Sequence, residues 1–172
     1  IAVGDVQFGD HTWMLGLKVL RNIVIAMAIA AVPMAAVQAG PMDKAVGARK
    51  ADMKLRAFYM GQLGGMAKGK IAYDAKTAQG AANSLLALTK LDGSKMWPKG
   101  SGNDMLGTKT RAMPNIWSTY PEVAGKGKAY KMAVENLVKV AGSGLDGLKG
   151  AIGPVGKGCG GCHKPFRAEK KK

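Results

Sequence analysis

Several residue types that would point to particular functions are scarce in this sequence. Cysteine occurs twice, histidine twice, and aromatic residues make up 6% of the 172 positions. Two cysteines cannot form a disulfide framework, and a structural zinc site takes four ligands, usually from a second Cys or His pair that this chain lacks. With so few aromatics to stack on bases, and basic residues scattered rather than clustered, the sequence argues against nucleic-acid binding. Acidic residues are also few, eleven against twenty-six Lys and Arg, giving a net charge of +15. Such a surplus favours acidic partners and anionic surfaces and speeds encounter with them, but it does not select a fold. The apolar run from Ile23 to Val37 falls short of the ~18–20 residues that span a bilayer, and no stop-transfer charges follow it closely, so no stable membrane anchor is expected.

That apolar run reads instead as the core of an export signal. From Met14 the chain has a basic stretch (Lys18, Arg21), then Ile23 to Val37, then the small residues of Val37-Gln38-Ala39, the order of a secretory signal cleaved after about Ala39. Residues 1–13 lie upstream of this start and suggest a longer pre-sequence or a misplaced translation start. The segment 1–39 holds two basic residues and two acidic ones (Asp5, Asp10), so the remaining 40–172 keeps the +15 surplus. Its length suits one domain with one core.

Within 40–172, Gly, Pro and polar clusters separate four stretches of helical periodicity, which predict an all-α antiparallel up-and-down four-helix bundle. The first, about Met42 to Lys68, aligns Val46, Met53, Ala57, Met60, Gly64 and Ala67. The second, Asp74 to about Lys90, opens on an N-cap residue and aligns Ala78, Ala81, Leu85 and Leu88. A connection from Asp92 to Pro121 is long for a compact domain and calls for pinning by Trp97, Ile116 and Trp117. The third helix, about Glu122 to Ala141, turns Tyr130, Ala133, Leu137 and Val140 inward. In the fourth, Leu145, Leu148, Ile152, Val155, Cys159, Cys162 and Phe166 form a heptad seam, although Gly150, Gly153 and Pro154 argue for a kink.

The seam contains Cys159-Gly160-Gly161-Cys162-His163, the C-x-x-C-H signature of c-type haem attachment. Cysteines three apart share a helical face and can each form a thioether to a haem vinyl group, and His163 offers an imidazole from the same face. These are the only cysteines in the chain, and His163 is the only histidine after residue 39. A thioredoxin-like pair belongs in a βαβ context, and a disulfide between helical neighbours gains little.

With these residues in place, the chain resembles the cytochrome c′ family of class II cytochromes c over Ala45 to Arg167. The resemblance is carried by the C-terminal motif with Phe166-Arg167, by Arg49 and Met53, by Met66-Ala67-Lys68-Gly69 with Tyr73-Asp74-Ala75, and by Pro114-Asn115-Ile116-Trp117. It implies one haem c attached through Cys159 and Cys162, with His163 as the proximal iron ligand and Arg167 beside that imidazole. It also implies that Arg49 meets a haem propionate, that Trp117 packs near the haem, and that the protein is a periplasmic homodimer.

Met53 resembles the residue facing the open side of the haem. In most members this position is apolar and leaves iron five-coordinate, able to bind nitric oxide or carbon monoxide; in a low-spin branch a methionine ligates the iron. The residues allow both, and core filling by Met53 and Met60 is a third possibility. Electron transfer to an acidic redox partner with His163 and Met53 as axial ligands is the leading expectation, gas binding the alternative. A peroxidase-like enzyme is disfavoured, since no second histidine remains to act as distal acid and base.

Overall fold

The computed structural model describes residues 40–170. The pre-sequence and export signal read in residues 1–39 lie outside the described residues. Four long helices dominate: α1 (Pro41–Ala67), α2 (Ala75–Leu88), α5 (Tyr120–Val140) and α6 (Leu145–Phe166), with two single-turn helices, α3 (Asn103–Leu106) and α4 (Asn115–Ser118), in the connection between α2 and α5. Packing runs α1 on α2, α2 on α5, α5 on α6 and α6 back on α1, which closes the bundle.

Local chemistry explains the boundaries. Pro41 opens α1 at a position where its missing N–H costs nothing. The chain leaves α1 through Gly69 at φ +69°, a left-handed conformation suited to glycine, and its N–H donates to the Met66 carbonyl at 3.0 Å. Asp74 caps α2, its carboxylate accepting from Thr77 N–H at 2.7 Å. The bend between α5 and α6 is tied to the start of α2 by Tyr73, whose hydroxyl donates to Ala141 O (2.9 Å) and accepts from Gly144 N–H (3.0 Å).

The main core joins Leu63 and Met66 of α1, Ala78, Ala81, Ala82 and Leu85 of α2, Tyr130, Val134 and Leu137 of α5, and Leu148 and Val155 of α6. Helix α6 runs unbroken through Pro154, which is exposed, so the carbonyl it leaves unpaired, that of exposed Gly150, can be solvated.

Helix α1 departs from the expected pattern. Its buried residues are Ala45, Val46, Arg49, Asp52, Leu63 and Met66, whereas Met53 is 40% exposed and Ala57 is exposed as well. The apolar stripe read from the sequence therefore lies beside the true inner face in the middle of this helix. Two charged residues occupy that inner face because each has buried partners, and a stripe drawn by hydrophobicity passes over them. On α5 the inward set likewise includes Val134, with Ala133 and Val140 only half-buried.

Candidate haem-binding site

The last turns of α6 present Cys159, Cys162 and His163 at i, i+3 and i+4, two thiols and an imidazole on one helical face. All three are half-buried, and both cysteines are free. Burial pushes both thiols above their ordinary range, offset in part by Arg56 at Cys159 and by Lys126 at Cys162. A raised pKa favours the protonated, less reactive form of a thiol. Burial, then the charges of Arg167 and Arg111, lower the pKa of His163. The neutral ring this favours is the form that ligates a metal.

The end of α6 is braced by the long connection. Met113 N–H donates to Phe166 O (3.0 Å), Ala168 N–H donates to Arg111 O (2.8 Å), and Ala112 and Arg167 form an antiparallel bridge. Phe166, Ala112 and Ile116 form a second core with Trp97, Trp117 and Val123 packed against it. The half-buried Trp117 donates its indole N–H to Trp97 O at 2.9 Å. The three anchors expected of this connection thus act as a unit. The Arg167 side chain is exposed, close enough to His163 for its charge to act on the imidazole.

Arg49 packs against the same connection and is 4% exposed. Its Nη1 donates to Ser101 Oγ (2.7 Å) and Met96 O (3.4 Å), its Nη2 to Ser101 O and Thr110 Oγ1 (2.7 Å), and its guanidinium stacks on Trp97, 4.8 Å from the ring centroid. Burial lowers its pKa. Among the described residues Nε has no partner, which leaves one donor for a haem carboxylate.

One turn and two turns further along α1 stand Met53 and Arg56. Arg56 Nε donates to both oxygens of Asp52 (2.9 and 3.0 Å), and Nη2 donates to Leu88 O (2.6 Å). The same guanidinium lies over Tyr130, 5.3 Å from the ring centroid. Burial opposes charge on Arg56, but Asp52 and Tyr130 outweigh it and raise its pKa. The sequence reading missed this group. Asp52 and Arg56 have the i, i+4 spacing of an ion pair, and that was the available signal. Nothing local in the sequence shows that α5 brings Tyr130 to meet them.

A family model described as cytochrome c′ matches residues 44–167. The chain belongs to the cytochrome c′ family. It is 38% identical to a cytochrome c′ of Cereibacter sphaeroides, with 88% of this chain and all of that protein covered, and 32% identical to a cytochrome c-554 of the same organism, covering 88% and 98%. Among solved structures, a cytochrome c′ from Rhodobacter sphaeroides superimposes with a TM-score of 0.73 at 37% identity, covering 75% of this chain and 98% of that one. Cytochromes c′ carry covalently bound haem c, and the donor set here fits that group: two reduced thiols and a neutral imidazole on one face, and Arg49 with an uncommitted N–H. Among the described residues, no helix is long and apolar enough to cross a membrane.

Proposed function

We propose that this cytochrome c′ family member is an electron carrier, not an enzyme, whose iron is held by His163 on one side and by Met53 on the other. The observation that carries the reading is the position of Met53. It is 40% exposed and absent from the core, so packing does not account for a long apolar side chain there, unlike Met60, which packs against the core. It also lies one turn from Arg49 on α1, beside the inner face that Arg49 occupies, so one helix can supply a thioether to iron and a guanidinium to a propionate. Bound haem supplies a one-electron centre whose potential the axial ligands set, and Met with His raises it. The chain's own part is to anchor the ring through Cys159 and Cys162, keep His163 neutral, hold Arg49 against the connection by Ser101 and Thr110, and let Trp117 wall the site.

The test is Met53→Leu in the full-length, haem-loaded protein. The expected result is conversion from a low-spin to a high-spin spectrum together with a lower reduction potential; an unchanged spectrum would contradict ligation. Periplasmic location after cleavage near Ala39, homodimerisation, for which Leu55 and Phe58 offer exposed apolar surface on α1 (47% and 58% exposed), and an acidic redox partner belong to the same reading. The second reading, a five-coordinate haem that binds nitric oxide or carbon monoxide, is favoured by one observation: the buried Tyr130 hydroxyl lies within electrostatic range of Cys159, with Arg56 beside it.

A further inference from the structure

The basic residues around the end of α6 differ in whether an acid compensates them. Lys109 pairs with Asp43 at 2.9 Å, and Lys126 pairs with Glu122 at 3.2 Å. Arg111 and Arg167 are exposed, and among the described residues neither makes an ion pair, not even with nearby Glu169. Uncompensated charge at one spot is what an oppositely charged surface recognises.

The backbone fixes where these two charges stand. Ala112 and Arg167 face each other in the antiparallel bridge, so Arg111 and Arg167 occupy adjoining positions on the two segments. Arg111 is held twice: its backbone O accepts from Ala168 N–H (2.8 Å), and its Nε donates to Ala168 O (2.6 Å). The Nε bond restrains the guanidinium. Both Nη groups remain without an acceptor among the described residues, and guanidinium N–H groups of this kind suit a carboxylate in charge-assisted hydrogen bonds. Arg167 follows His163 by one helical turn, its backbone N–H donating to His163 O at 3.1 Å. Both arginines are close enough for their charge to act on the imidazole.

We propose that Arg111 and Arg167 form the docking point for an acidic redox protein, receiving its carboxylates beside His163, so that electrons pass on the His163 side of the haem and not on the Met53 side. The iron goes from ferric to ferrous as the partner's one-electron centre is oxidised, and both arginines keep their protons throughout. This docking point rests on the electron-carrier reading. Exposed charges of this kind add little affinity one at a time; they set encounter rate and orientation. A lipid surface would engage the +15 surplus as a whole, whereas these two charges mark a single spot.

The test follows reduction of the ferric full-length haem protein by stopped flow, with ferrous EDTA as a carboxylate-bearing anion and hexaammineruthenium(II) as a cation. At ~0.01 M ionic strength charges act over about 30 Å. There, Arg111→Gln combined with Arg167→Gln is expected to slow ferrous EDTA about threefold or more and to leave the ruthenium complex unslowed, after correction for any change in reduction potential. Lys76→Gln combined with Lys149→Gln removes the same charge near the starts of α2 and α6, and should slow ferrous EDTA less than about twofold. Equal slowing by the two double variants would overturn the docking point, since net charge alone would then explain it. An arginine variant that is not slowed would overturn it as well. Loss of binding to phosphatidylglycerol vesicles with unchanged electron exchange would overturn it in favour of a lipid surface. Should Arg111→Gln fail to fold, Arg167→Gln carries the same comparison with a smaller slowing, because the Arg167 side chain makes no hydrogen bond among the described residues. Negligible exchange with both reagents would overturn the electron-carrier reading and the docking point with it.

Discussion

Arg49 shows how one side chain can organise both a loop and a site. Four acceptors from the connection, Met96 O, Ser101 O, Ser101 Oγ and Thr110 Oγ1, converge on its two Nη atoms, and Trp97 covers its face. Arg49→Ala strands these groups, three of them in fully or nearly fully buried residues (Ser101, Thr110), and is expected to cost on the order of 2–4 kcal/mol. Chemical denaturation checks the magnitude, and limited proteolysis should show cleavage in 92–114 well before global unfolding. Retained stability would show that the connection is held elsewhere. The cysteines and His163 stand out in the sequence because they are scarce: the two thiols and the one histidine after residue 39 all fall within five positions. Arg49 was legible only as a cofactor residue through the resemblance, because its loop partners lie about fifty to sixty positions away.

At the scale of elements, α6 was read almost to its ends. Its inner residues Leu148, Val155 and Phe166 are apolar and buried, so hydrophobic periodicity describes it. The reading of α1 failed at its centre because its inner face carries Arg49 and Asp52, and the ion pair and loop contacts that make those positions buriable are tertiary. The tight approach of α5 and α6 makes a prediction: Gly158→Ala sets a Cβ against the Tyr130 backbone, which cannot swing away, and should cost about 1–3 kcal/mol by thermal denaturation. At the N-terminus of α2, the hydrogen bond from Thr77 holds the Asp74 carboxyl below its usual range. A carboxyl depressed in the folded state stabilises above its unfolded pKa and loses that contribution as pH falls through its folded value. Asp74→Ala should therefore lower the melting temperature at neutral pH, with the difference closing below the normal carboxylate range; a pH-independent difference would rule out the cap as its source.

The whole molecule combines a strongly basic chain with a cofactor site at one end of a bundle. Lys126, Arg111 and Arg167 lie within electrostatic range of Cys162 or His163, so positive charge surrounds the part of the protein through which an electron would pass. Association with an acidic redox partner is expected to weaken steeply as ionic strength rises toward ~0.15 M, where screening shortens to about 8 Å; salt-independent kinetics would contradict steering. Covalent haem with His163 and Met53 on the iron is tested most directly by an absorption spectrum of the purified protein, oxidised and reduced, before and after carbon monoxide. Such ligation predicts a c-type, low-spin spectrum that the gas leaves unmoved. A high-spin spectrum that shifts with carbon monoxide would contradict Met53 ligation, and the absence of haem would contradict the assignment of the site.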